Sequence, residues 1–172
     1  FLSPSVPLVT KIVLFALFSL LRYATEKRRA YIWFQRLAKA QRLTLESMAT
    51  VAETRDPETG AHLQRTQHFV KALAEHLRDN NIYTEMLDDM YIKLLVYSAP
   101  LHDIGKVGVP DVILTKPGNL TTEEFEQIKK HTLFGEKVLA RTARKIEGDN
   151  FLELAREIAA THHEKWDRTG YP

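Results

Sequence analysis

Residues 98–106 read Ser98-Ala99-Pro100-Leu101-His102-Asp103-Ile104-Gly105-Lys106, directly after an apolar helical stretch. An adjacent His and Asp are out of place there, because a carboxylate leaving water needs a partner. Pro100 interrupts the helical hydrogen-bond ladder and can aim the pair away from the helix surface. Three more polar signatures lie around it. Upstream is Arg55-Asp56-Pro57-Glu58-Thr59-Gly60-Ala61-His62, in which Glu58 and His62 share a face if the turn continues into a helix. Downstream come Lys129-Lys130-His131 and His162-His163-Glu164-Lys165-Trp166-Asp167.

Each signature alone has a plain reading. His131 beside two lysines reads as a surface residue, and His62 as a helix cap. His162-His163 can end a helix, where an imidazolium suits the dipole. His102-Asp103 can be a structural hydrogen bond. His68 and His76 have no polar pattern around them and read as ordinary surface or core residues. The joint occurrence carries more weight. The chain has no cysteine, which excludes a disulfide scaffold, thiolate zinc, iron–sulfur clusters and a cysteine nucleophile. Any metal must therefore be held by His, Asp or Glu. Several helices, each donating such a ligand at one end, suit two or more ions of the Fe or Mn kind. Helix bundles build metal centres from inward-facing residues in this way.

The surroundings read as all-helical. Apolar residues recur at helical spacing over 63–77 and 87–99, and two more helices are expected over 131–146 and 151–163. Thr121 or Thr122 can cap a helix opening with Glu123 and Glu124. Asp56-Pro57, Pro117-Gly118-Asn119 and Gly148-Asp149-Asn150 mark turns. No segment alternates with a period of two, and no Gly-rich phosphate loop is present.

The 172 residues allow one ordinary domain and an appendage. Residues 1–42 carry eight Lys/Arg and one acid, Glu26, a balance of +7, while 43–172 balance to −5. The basic pI of 8.8 thus comes from the N-terminal stretch and is no footprint of a nucleic-acid polymer. Leu8 to Leu21 is apolar apart from Thr10, Lys11 and Ser19. Extended back to Phe1, it approaches the ~20 residues a membrane span needs. Arg22, Lys27, Arg28 and Arg29 follow, with Tyr23, Tyr31, Trp33 and Phe34 among and after them. This is the positive-inside pattern with interfacial aromatics, and it puts the following domain in the cytoplasm. Glu26 to Thr54 lacks Gly and Pro and reads as a helical linker with a weak heptad at Leu37, Thr44 and Val51. A homodimer could pack there; a solvated spacer reads equally well.

His102-Asp103 within HDIGK resembles the HD phosphohydrolase superfamily. HHEKWDRTGYP, with RDPETGAHLQR upstream and GVPDVILTKPGNLT between, resembles its HD-GYP subfamily. The resemblance covers about Leu45 to Pro172, with four separated motifs in order. It implies an all-α HD-domain helical bundle and hydrolysis of the bacterial messenger cyclic di-GMP to pGpG or onward to GMP. The expected chemistry is attack by a metal-bridged hydroxide. Implied metal ligands are Glu58, His62, His102, Asp103, His131, His162 and His163, with His102, Asp103 and Lys106 as the catalytic group. Glu58 matches a carboxylate of members that hold three metals instead of two, so two or three divalent ions are expected, iron or manganese. Lys106 matches a lysine at the phosphate. Arg168, Gly170, Tyr171 and Pro172 form the loop toward substrate or partner, where diguanylate cyclase domains could dock. Arg168 stands where the family usually has Gly.

The expected organisation is a transmembrane helix end over 1–24, a helical linker over 25–54 and an HD-GYP domain over 55–172. Phe1 at one end and Gly170-Tyr171-Pro172 at the other read as cuts from a longer inner-membrane sensor protein, with a CHASE2-like sensor before the chain and a further aspartate ligand after it. Two other readings stand beside this one. The first is an HD hydrolase of another nucleotide, which would not need His162-His163 followed by GYP. The second is a non-catalytic sensor binding cyclic di-GMP or a cyclase, which would be expected to have lost ligands.

Overall fold

The computed structural model describes residues 7–53, 61–145 and 150–172. Among these every regular element is helical: α1 (Leu8–Glu53), α2 (His62–Asp79), α3 (Asp89–Ser98), α4 (Asp111–Leu114), α5 (Thr122–Lys129), α6 (His131–Ala143) and α7 (Phe151–Thr161). Two 3₁₀ turns, Ala99–Leu101 and Ile104–Gly108, flank His102-Asp103. The chain forms two compact units, residues 1–42 and 43–172. In the first, the part of α1 from Leu8 onward is long and apolar enough to cross a membrane, by length and composition. Its Leu8, Phe15, Phe18 and Leu21 side chains are exposed.

The second unit is built on small residues that let helices approach closely. Ala155 and Ala159 of α7 are fully buried, and with Leu152 they line one helical face. They meet Leu139 and Ala143 of α6, Leu101 of the first 3₁₀ turn, Leu63 of α2 and Ala49 of α1 in the main core. A second cluster joins Ala74, Leu87 and Ile92. Two polar side chains between the helices are paired, as burial requires. The hydroxyl of Ser98 donates to the Phe151 carbonyl at 2.8 Å, tying the end of α3 to the start of α7. Gln67 Nε2 donates to the Val96 carbonyl at 3.1 Å, tying α2 to α3.

Helix ends fall where local chemistry puts them. Thr121 and Glu124 form a reciprocal capping box at the start of α5, which selects Thr121 over Thr122. Asp88 caps α3 by accepting from Tyr91 N at 2.7 Å. Asn150 caps α7 through Leu152 N and Glu153 N. The helix expected over 87–99 closes at Ser98, because Pro100 has no N–H to continue the ladder and the chain tightens into a 3₁₀ turn. The helix expected over 151–163 closes at Thr161, leaving His162 and His163 just beyond its end. The turn expected at Asp56-Pro57, together with Ile146, Gly148 and Asp149, lies outside the described residues.

One contact fixes the position of His102-Asp103 against α6. A Cβ on Gly105 would lie 1.8 Å from the His131 carbonyl oxygen and 2.5 Å from Gly135 N. Only glycine lets the second 3₁₀ turn lie on the α6 backbone. Gly105→Ala should therefore destabilise the domain by about 3 kcal/mol, the upper end for overpacking; urea unfolding read by far-UV circular dichroism would measure it.

Candidate metal centre

Three helix ends build the site. The last carbonyls of a helix have no partner within it and need donors. His102 Nδ1 lies 2.9 Å from the Ala99 carbonyl. His131 Nδ1 lies 2.7 Å from the Ile128 carbonyl in the last turn of α5. His162 Nδ1 lies 3.1 Å from Ala159 O and 3.2 Å from Ile158 O at the end of α7. A carbonyl only accepts, so each Nδ1 carries the hydrogen. Each ring thus turns Nε2 inward, the arrangement that orients metal-ligating histidines.

The inward nitrogens meet at Asp103. His102 Nε2 is 3.0 Å from Oδ2. His131 and His162 Nε2 are 3.3 and 3.5 Å from Oδ1 and 3.2 Å from each other. The ligand atoms of Asp103, His131, His162 and His163 all lie within 4.8 Å of one another. His131 is 1% exposed, which overturns its reading as a surface residue: α5 ends on it and α6 begins with it, inside the packed site. Lys106 Nζ sits 2.9 Å from Asp103 Oδ2. The His62 ring lies 6.1 Å from that of His102, at the edge of the cluster. His163 stacks on Tyr171 at 4.6 Å. The sequence-expected Glu58 lies outside the described residues. His68 and His76 are exposed and stand apart from the cluster.

The electrostatics fit a cation. Neutral imidazoles with hydrogen on Nδ1 would aim lone pairs at a carboxylate and at each other, which is repulsive. Asp103 Oδ1 is buried and has no hydrogen bond in good geometry, an orphan acceptor that folding does not normally leave. A positive charge between these atoms removes both problems, and a His/Asp donor set suits a divalent metal. Burial pushes the Asp103 carboxyl upward, but the close approach of His102, His131 and His162 outweighs it and holds the carboxylate far below its usual range. Burial lowers His102, yet its contact with Asp103 leaves the imidazole above its ordinary value. His163 goes the other way, down to about 4, through burial and then the neighbouring charges of His162 and His131.

The loop after α7 is tied to itself. Glu164 Oε1 accepts from Lys165 N and Gly170 N, both at 2.9 Å. Asp167 Oδ1 accepts from the Thr169 amide and hydroxyl. Trp166 at its tip is fully exposed. Arg168 adopts φ 61°, a left-handed conformation that disfavours a Cβ and accounts for the glycine usual at this point of the motif. The sequence reading missed Phe125 and Lys129 of α5. The Phe125 ring packs edge-on against Tyr171 at 6.2 Å, and Lys129 Nζ lies 5.7 Å from the Tyr171 ring centroid. Only the fold brings α5 to this loop. The carbonyl partners were legible in principle, since Ala99, Ile128 and Ala159 each precede their histidine by three.

An HD domain family model matches residues 59–171, and the chain belongs to the HD domain family. It is 54% identical over 130 residues to a cyclic di-GMP phosphodiesterase of Vibrio cholerae, covering 76% of this chain and 26% of that protein. It is 42% identical over 128 residues to a cyclic di-GMP phosphodiesterase of Thermotoga maritima, covering 74% of this chain and 31% of that one. It is 41% identical over 126 residues to a 3′3′-cGAMP-specific phosphodiesterase of Vibrio cholerae, covering 73% of this chain and 22% of that protein. The chain thus spans between a fifth and a third of the length of these relatives.

Two outcomes follow from the site's energetics. His163 binds its proton less tightly folded than unfolded, so between pH 6.5 and about 4 the unfolded chain holds more protons and stability rises with pH. The metal-free protein should melt at lower temperature as pH falls through that window, and His163→Gln should flatten the slope. The raised His102 acts at a different pH: its contribution is present below 6.5 and is lost as pH rises through its folded value. Separately, Arg168→Gly should stabilise the protein by about 1 kcal/mol by removing the left-handed penalty, seen as a higher urea midpoint at unchanged slope.

Proposed function

We propose that this chain is the catalytic part of an HD-GYP phosphodiesterase that hydrolyses cyclic di-GMP to linear pGpG, GMP or both. The observation that carries the reading is the orphan carboxylate oxygen of Asp103, set among inward-turned imidazoles. The names of the relatives supply the substrate. Asp103, His131, His162 and His163 would hold one divalent ion, and Asp103 with His102 and His62 a second. Glu58 would add a third, with iron or manganese favoured by the nitrogen and oxygen donors. When bound, such ions supply Lewis-acid polarisation of a phosphodiester oxygen and acidify a water for in-line attack.

The chain's own residues set the geometry of that reaction. Asp103 presents Oδ1 to His131 and His162 and Oδ2 to His102, so one carboxylate can serve two cations. The carbonyls of Ala99, Ile128 and Ala159 hold the three rings in the tautomer that leaves Nε2 free to ligate. Lys106, its side chain only 16% exposed, is held at the carboxylate and offers a point charge to a phosphate. Cleavage breaks a P–O3′ bond, puts the new hydroxyl on phosphorus and leaves a free 3′-hydroxyl. Repeating it on the linear product gives GMP.

The 41% identity to a 3′3′-cGAMP-specific enzyme favours a second reading, in which the mixed cyclic dinucleotide is the substrate. In either case the apolar part of α1 would anchor the protein in the inner membrane with residues 55–172 in the cytoplasm. The stretch over 25–54 would link the two and could pack in a homodimer. The loop over 164–172 would face substrate or a diguanylate cyclase domain.

The test is turnover of cyclic di-GMP and of 3′3′-cGAMP by the full-length protein, loaded anaerobically with Fe(II) or Mn(II), with products separated by chromatography. Cyclic di-GMP should be cleaved faster, and chelation or His102→Ala should abolish cleavage. Faster cleavage of 3′3′-cGAMP would transfer the assignment to it, and no cleavage of either at full metal load would overturn the enzyme reading. Glu58→Ala should remove one metal equivalent by elemental analysis. Unchanged metal content would reduce the count to two.

A further inference from the structure

The tyrosine of the terminal Gly-Tyr-Pro has a structural relation to the centre that its place in a loop does not suggest. Three of the clustered imidazoles are oriented by a carbonyl on Nδ1. Among the described residues no such carbonyl contact holds the His163 ring, and His163 is the most exposed of the four. Its ring neighbours are His162, tilted by 45° at 4.2 Å, His131, edge-on at 5.2 Å, and the Tyr171 ring, the nearly parallel one of the three, stacked at 4.6 Å with 19° between planes. Tyr171 is itself held firmly. Its N–H donates to the His163 carbonyl at 3.3 Å. Its ring meets Phe125 edge-on at 6.2 Å and His131 edge-on at 6.3 Å, with Lys129 Nζ 5.7 Å from its centroid. The return of the chain that allows this needs Gly170, where a Cβ would lie 2.3 Å from the His163 carbonyl oxygen.

The geometry points to Tyr171 as a positioning residue: its ring, clamped by Phe125 and Lys129, orients His163 for metal binding as the backbone carbonyls orient the other three histidines. This rests on the reading of the cluster as a metal centre. It deepens that reading by giving the tyrosine a part in ligand orientation that needs no contact with substrate. Because stacking depends on the ring and not on the hydroxyl, phenylalanine should substitute and leucine, of similar bulk, should not.

The experiment is titration of the metal-depleted full-length protein with Co(II) and Mn(II). Binding is followed by competition with a chromophoric chelator and by the Co(II) absorption spectrum. The variants are Tyr171→Phe, Tyr171→Leu and Tyr171→Ala, with melting of each metal-free protein as a folding control. We expect one metal equivalent to weaken roughly threefold to tenfold in the Leu and Ala variants, the range an aromatic stacking contact supplies. The Phe variant should bind as the unaltered protein does. Unweakened binding in Leu and Ala would overturn the proposal while leaving the metal reading intact. So would equal weakening in Phe, or uniform weakening of all equivalents together with a lowered melting temperature. If the unaltered protein binds no metal, both the reading and the proposal fall.

Discussion

A single carboxylate, that of Asp103, sets the terms for the rest of the domain. It is nearly buried, carries a full charge, and leaves one oxygen without a proper hydrogen bond. Such a group costs several kcal/mol unless cations surround it. The fold brings partners to it from three directions, with Lys106 and His102 from its own turn, the His131 imidazole from the start of α6 and the His162 imidazole from the end of α7. The imidazole partners leave room for an ion. Imidazoles can give up their protons to a metal, whereas a buried arginine could not. The cluster is therefore a place where protons and a divalent ion compete for the same lone pairs.

The helix ends explain how that competition is kept in register. Each terminating helix leaves carbonyls without donors, and in three cases the histidine just beyond the end supplies one. The same hydrogen bond finishes the helix and aims the ligand. Structural need and functional orientation therefore coincide, which lets short helices and 3₁₀ turns hold a polar centre with few additional contacts. His163 has no such bond, and its orientation falls to an aromatic neighbour brought back by the terminal loop.

Close backbone approach is the other enabling condition. Gly105 lets the turn carrying His102-Asp103 rest on the first residue of α6. Fully buried Ala155 and Ala159 let α7 lie against α6. Larger side chains at these positions would separate the helix ends by more than the reach of a hydrogen bond. The small residues of the motifs thus control ligand distances as directly as the histidines do.

The helical class, the helices near 62–79, 89–98, 122–129, 131–143 and 151–161, and the membrane-length apolar stretch were legible because each depends on local periodicity, caps and breakers. His102-Asp103 stood out too, because an adjacent His and Asp after an apolar helix are out of place, and His162-His163 entered only through joint occurrence with the other signatures and the motif resemblance. His131 was not legible from its neighbours. Two lysines beside it suggest a surface, and only the packing of α5, α6 and the 3₁₀ turn buries it to 1% exposure. The cap could not be placed between Thr121 and Thr122 until the Glu124 carboxylate was seen closing the box. Phe125 and Lys129 carried no sequence signal for Tyr171, because they lie over forty residues away and meet it only through tertiary contact. The sequence by itself determined the donor types and the helices that end in them. The tertiary structure decided which nitrogens share one carboxylate, because distances between separate helix ends depend on packing that no local pattern encodes.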